Sequence, residues 1–112
     1  MKLVTGIFKP FKVSAVKDAL KELDVHGMTV SEVQGFGRQR GHSETFRGAE
    51  YEVDFIPKVR VEVLADDRDA DDIAQVMVET ARTGKIGDGK VWVTNVEQLY
   101  RVRTGEAGPE AL

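Results

Sequence analysis

Cysteine is absent from the 112 residues, which removes disulfides, thiolate zinc sites and cysteine nucleophiles together. Histidine is scarce: His26 and His42 alone make a poor transition-metal set, and both read as surface residues. No apolar run reaches eighteen residues, and Met1-Lys2-Leu3-Val4-Thr5 leads into a strand pattern instead of a signal peptide, so a cytoplasmic protein is expected. A basic excess is missing as well. The net charge of −3 argues against general nucleic-acid binding, because neutralising phosphates needs a positive surface.

The length and a hydrophobic content of 41% predict one compact domain with a single core. Charge is unevenly spread along it. Glu62 to Glu79 holds seven acids and one base, whereas Arg82 to Arg103 holds five bases and two acids, a local excess of three positives suited to a small anion.

Leu3 to Phe8 reads as a strand ended by Lys9-Pro10. Val13, Val16, Leu20 and Leu23 then fall at helical spacing, predicting a helix over Val13–Asp24 with Gly27 as its stop signal. Met28 to Phe36 is a second strand, and Lys58 to Val63, after Pro57, alternates charged and valine residues as a third. Asp66 to Asp72 announces a second helix with the apolar stripe Ala70, Ile73, Ala74, Met77 and Ala81, finishing in Arg82-Thr83-Gly84. Val91, Val93 and Val96 form a fourth strand, and Tyr100 and Val102 a short fifth one before the tail Gly105–Leu112. The order predicts an α+β, ferredoxin-like βαββαβ fold. That fold hosts unrelated functions, so the sites must decide.

Two segments carry the chemistry. Gly37–Asp54 shows no helical or strand periodicity over eighteen residues, where a hairpin needs only about two to five. It is a disordered insertion, a hairpin with concealed strands, or a functional loop. Its mixed charges and its aromatics Phe46 and Tyr51 favour the last. Ordering it all would cost on the order of 18 kcal/mol. A micromolar ligand supplies only about 8 kcal/mol. A small molecule is therefore expected to fix the base near Gly37–Gly41, and a partner surface to select the tip.

The second segment is Thr83-Gly84-Lys85-Ile86-Gly87-Asp88-Gly89-Lys90. Gly84, Gly89 and Lys90 match P-loop spacing, but Val91 stands where a magnesium-binding Ser or Thr is needed, and the loop leaves a helix instead of opening one. A P-loop NTPase is excluded. The glycines can still form an anion-binding nest, with Lys90, Arg101 and Arg103 supplying charge; the alternative is an ordinary glycine turn. The Asp66–Asp72 run reads as helix capping and not as a metal site, and Trp92 as core or interface.

Lys9-Pro10-Phe11-Lys12, Gly35 to Gly41, Arg47-Gly48-Ala49-Glu50-Tyr51, Arg82 to Lys90 and Arg101 to Glu106 together closely resemble the PII family of nitrogen-signalling proteins, over essentially the whole chain. The resemblance implies a homotrimer of one PII-like domain per chain, with a regulatory loop at 37–54, a glycine phosphate-binding loop at 82–90 and a C-terminal loop and tail at 102–112. It implies ATP or ADP bound between neighbouring subunits, one giving the glycine loop and Lys90, the other Arg101 and Arg103. Nucleotide contacts are implied for Thr29, Gly37, Arg38, Gln39, Glu62, Gly87, Asp88, Gly89, Lys90, Arg101 and Arg103. 2-Oxoglutarate is implied at Gln39 and Lys58, with Mg2+ held by Gln39.

Tyr51 matches a site uridylylated or adenylylated in relatives. The implied partners are an ammonium transporter, a nucleotidyltransferase and enzymes or regulators of nitrogen metabolism, with the membrane met only through the transporter and no catalysis by the chain itself. Phe46 and Ala49 stand where some relatives carry a modifiable tyrosine and a phosphorylated serine, so those hydroxyls are missing here. An enzyme acting on nucleotide phosphates lacks an evident nucleophile or base, and an RNA-binding ferredoxin-like module lacks stacking aromatics and a basic face.

Overall fold

The computed structural model describes residues 1–37 and 55–112, together with the backbone course of His42–Phe46 and Ala49–Val53. The elements are β1 (Lys2–Phe8), α1 (Val13–Glu22), β2 (Thr29–Gly35), β3 (His42–Phe46), β4 (Ala49–Val53), β5 (Ile56–Ala65), α2 (Asp67–Ala81) and β6 (Gly89–Asn95). The main sheet has the order β2-β5-β1-β6, every neighbouring pair antiparallel. With β3 and β4 set aside, this is the expected ferredoxin-like arrangement.

Period-two burial divides the sheet. Val4 and Phe8 of β1 and Val59, Val61, Val63 and Ala65 of β5 are buried, and they meet Val16 and Leu20 of α1 and Ala70, Ile73, Met77 and Ala81 of α2. Both helices thus cover one face, each through residues three or four apart. The other face carries Thr29, Glu62, Thr5 and Trp92 in one register row. Leu64, 45% exposed, and Trp92, 40% exposed, remain open on it.

Local chemistry sets the ends. Asp66 caps α2 by accepting the Arg68 N–H at 3.2 Å, and Asp67 and Asp69 complement the positive end of the dipole. The α1 stop differs from expectation: the helix ends at Glu22, and the turn is made by Asp24 at φ +61°, not by Gly27. The Val25 N–H bonds the Leu20 carbonyl and the Asp24 N–H that of Lys21, a Schellman closure. Aspartate tolerates the left-handed region well enough to replace glycine there.

Two further expectations are corrected. Gly37–Asp54 contains paired strands, with His42 opposite Val53 and Phe46 opposite Ala49, so it is not free of regular structure. Only one of the two carries the period that marks a strand in sequence: Ala-Glu-Tyr-Glu-Val alternates, but His-Ser-Glu-Thr-Phe does not. The fifth strand at Tyr100–Val102 shrinks to a single bridge from Tyr100 to Ala107. Gly105 and Gly108, at φ +75° and +77°, turn the chain back on itself, and a 3-10 turn at Gly108–Ala111 follows. Val96 also falls just outside β6, although its N–H still bonds the Met1 carbonyl.

Candidate functional site

Antiparallel pairing brings the C-terminal ends of β1 and β2 and the N-terminal ends of β5 and β6 to one end of the sheet. A cleft of about 520 Å³ opens there. Its walls include Gly37, Lys58, Gly87, Asp88, Gly89 and Lys90, six residues that the sequence reading had singled out from three separate stretches of chain. Lys85 adds a third lysine, and Asp88 is the only carboxylate on these walls among the described residues.

That carboxylate is already engaged. Asp88 Oδ2 accepts the Thr83 and Gly84 N–H groups, each at 2.8 Å, and Oδ1 accepts the Thr83 hydroxyl at 2.5 Å. Lys9 Nζ stands 3.4 Å from Oδ1, and the Lys85 N–H reaches Thr83 Oγ1 at 3.2 Å. Asp88 is thereby a buckle across the glycine loop, closing the turn that leaves α2. The hydrogen bond from the Thr83 hydroxyl, followed by the two amides and Lys9, holds its carboxyl well below the usual carboxylate range, against a smaller opposing effect of desolvation. A depressed acid contributes stability that is present above its ordinary pKa of 3.8 and is lost as pH falls towards the folded value. Amide exchange at Thr83 and Gly84 should therefore stay slow through mildly acid pH in the wild type. Asp88→Asn should speed it at neutral pH; equal protection in both proteins would remove the buckle from the account.

Lys58 lies within the sheet, 9% exposed, and its Nζ donates to the Gly87 carbonyl at 2.5 Å. Burial pushes its pKa below the ordinary 10.5, the charge of Lys9 pushes the same way, and Asp88 opposes them. Gly84, Gly87 and Gly89 all have positive φ (+87°, +92° and +102°), so the loop follows a course that side-chain-bearing residues rarely adopt. Gly87 and Gly89 beside lysines, with the one nearby carboxylate occupied, make a fitting seat for a polyanion.

A second cleft, about 940 Å³, lies at the opposite end of the sheet. Thr29 and Glu62, register partners on β2 and β5, border it together with the C-terminal Pro109, Ala111 and Leu112. Among the described residues none borders both clefts. Of the predicted site residues, Thr29 and Glu62 thus lie on one cleft, and Gly37, Lys58 and Gly87 to Lys90 on the other.

The family model of the nitrogen regulatory protein P-II matches residues 1–106. The chain belongs to the P-II family. Over all 112 residues, and over the whole length of each relative, it is 53% identical to nitrogen regulatory protein P-II of Rhizobium meliloti (strain 1021) and 53% to that of Rhodobacter capsulatus. It is 51% identical, with the same full coverage, to nitrogen regulatory protein GlnK of Escherichia coli (strain K12). A P-II chain is a nitrogen-signalling regulator, and the relatives' names as regulatory proteins fit a non-enzymatic role acting on partner proteins.

Within this P-II chain Arg101 and Arg103 border neither cleft. Arg101 Nη1 instead pairs with Glu106 Oε1 at 2.9 Å, and Nη2 donates to the main-chain oxygen of Leu112 at 2.8 Å. Arg103 is exposed. Arg38 and Gln39 lie outside the described residues, as does the side chain of Tyr51, whose backbone pairs with Glu44. Sequence reasoning missed Lys9 and Thr83 as braces of Asp88, because their link spans 74 residues. Lys9-Pro10 at a strand end and Thr83 after a helix were visible, but nothing in either predicts that they meet. No helix among the described residues is long and apolar enough to cross a membrane.

Proposed function

We propose that this P-II protein is a cytoplasmic sensor that binds ATP or ADP between neighbouring subunits of a homotrimer and, with Mg-ATP, also binds 2-oxoglutarate. It reports the outcome through the loop 37–54 to partner proteins: an ammonium transporter, a nucleotidyltransferase, or enzymes and regulators of nitrogen metabolism. The observation that carries this reading is the cleft that unites Lys58, Lys90 and the Gly87–Gly89 amides on one wall system. Phosphates would sit on the amides and Lys90, as in any nest completed by a cation.

Two observations support sharing between subunits. The half-site with Thr29 and Glu62 is at the wrong end of the sheet to reach the glycine loop of its own chain. The sheet face that joins the two ends is not covered by helices and leaves Leu64 and Trp92 partly exposed. An antiparallel sheet can leave such a face in solvent, but a tryptophan and a leucine open on it suit burial against a partner, and copies of the same chain would satisfy both needs together. Glu62 would then lie near the base, Arg101 and Arg103 near the phosphates, each contributed by the neighbour of the chain that gives Lys90.

Lys58 gives the acid effector a cation already desolvated, and Gln39 gives Mg2+ its side-chain oxygen. Mg2+ held by Gln39 would supply positive charge to the anionic ligands of the site. Effector binding then depends on the triphosphate, and by linkage the effector strengthens ATP binding equally. Because Gln39 stands at the loop base, occupancy biases the loop conformations offered to partners. A nucleotide added to Tyr51 would put charge and bulk on that loop and hinder its insertion into a partner.

Calorimetry with ATP, ADP and 2-oxoglutarate, singly and combined, tests this. The expected result is nucleotide binding on its own, and effector binding only with Mg-ATP. Tight effector binding without nucleotide contradicts the mechanism. Light scattering on the same samples should give a trimer; a monomer with full ATP affinity contradicts the shared site.

A further inference from the structure

The C-terminal segment makes more contacts than a loose tail needs. The Arg101 N–H donates to the Glu106 carbonyl at 2.8 Å, and the Gly105 N–H to the Arg101 carbonyl at 2.7 Å, closing a tight turn. Across that turn the Glu106 carboxylate holds the Arg101 guanidinium at 2.9 Å, and the Thr104 hydroxyl steadies the same Oε1 at 2.9 Å. The Gly108 N–H bonds the Leu99 carbonyl at 2.8 Å, and Leu112 accepts from Arg101. The same segment sets Pro109, Ala111 and Leu112 along the cleft that contains Thr29 and Glu62.

Arg101 is therefore fastened twice, by a carboxylate and by a main-chain oxygen, in a segment that also borders the second cleft. A guanidinium offers a planar fork of donors, and with Nη1 on Glu106 and Nη2 on Leu112 the pair of nitrogens that would grip a phosphate side by side is already engaged. We infer that residues 105–112 form an autoinhibitory strap in which Glu106 is an internal stand-in for the ligand anion, so that nucleotide must displace it to recruit Arg101. This rests on the reading that Arg101 contacts nucleotide. The strap makes no demand on the glycine loop or Lys90, which sit at the other end of the sheet. It thus acts as a threshold: a ligand lacking a phosphate within reach of Arg101 has nothing with which to exchange.

The exchange is between two partly exposed ion pairs, with Arg101 and Glu106 side chains 33% and 41% exposed. Such pairs are weak, so Glu106→Gln should tighten ATP binding by about two- to fivefold at low salt, and less as salt rises. Calorimetry on wild type, Glu106→Gln, Arg101→Gln and the double variant separates the possibilities. The gain from Glu106→Gln should vanish in the Arg101→Gln background, as coupling through a shared partner requires.

Hydrogen exchange supplies a second readout: saturating ATP should reduce protection of the Gly105 and Gly108 amides, which the strap bonds hold. If wild type binds ATP but Glu106→Gln binds it equally or more weakly, or if those amides become better protected with ATP, the segment is a wall of the site and the strap is overturned. If Arg101→Gln binds ATP as wild type does, the reading of Arg101 as a nucleotide ligand fails, and the strap falls with it. That outcome is distinct from a failure of Glu106 alone.

Discussion

Gly89→Ala is expected to cost about 3 kcal/mol or more of folding stability, whatever it does to ligands. Gly89 opens β6 opposite Phe8 of β1 at φ +102°, and a Cβ there would come 1.8 Å from the Ile7 carbonyl oxygen and 2.8 Å from its carbon. Backbone, not a yielding side chain, occupies the space, so relief would require β6 to leave β1. Gly84→Ala is the matched control, since Gly84 also has positive φ (+87°) but faces open space. It should cost only about 1 kcal/mol, the usual strain of a left-handed alanine. Urea unfolding of the two variants decides. Equal losses would mean that the sheet tolerates the approach and that the glycine serves the ligand alone.

Lys58→Met should weaken 2-oxoglutarate binding at least about tenfold, the loss expected when one charge-assisted hydrogen bond of about 1.5–3 kcal/mol is removed. ATP binding without effector should change far less, because Lys58 touches the glycine loop only at the Gly87 carbonyl among its described contacts. Calorimetry of effector in the presence of saturating Mg-ATP reads the difference, and unchanged effector affinity would detach Lys58 from that site.

Stability carries an independent signature. A lysine whose folded pKa is lowered binds fewer protons folded than unfolded between that value and 10.5. Its contribution to stability therefore rises as pH climbs through that window. The wild type should gain on Lys58→Met there; a constant difference between the two across alkaline pH would show that burial does not shift this lysine.

The two sites differ in how much of each the sequence discloses. Lys58 to Val63 alternates so regularly that the strand and its inward valine face follow from spacing alone, but the same spacing assigns Lys58 to solvent, whereas it is buried against the Gly87 carbonyl. Gly84, Gly87 and Gly89 announce a left-handed course as plainly. Asp88 is different. The family resemblance implies a nucleotide contact for it, yet its oxygens are occupied by Thr83, Gly84 and Lys9, and its first service is to the loop. The Tyr-Arg-Val-Arg alternation likewise has the period of a strand, but an edge partner is needed to make one. Gly105 and Gly108 return the chain to pair with itself instead.

Local rules are written in neighbouring residues, which is why helix and strand positions, the capping Asp66, the glycine turns and the kinship with P-II proteins could be read directly from the chain. Contacts between distant segments are not encoded by any local period. The Lys9 to Asp88 link, the clasp of Arg101 by Glu106 and Leu112, and the separation of Lys58 and Glu62 onto two clefts depend on how the four main-sheet strands stack. The antiparallel order β2-β5-β1-β6 decided that separation by sending the two ends of β5 to opposite ends of the sheet.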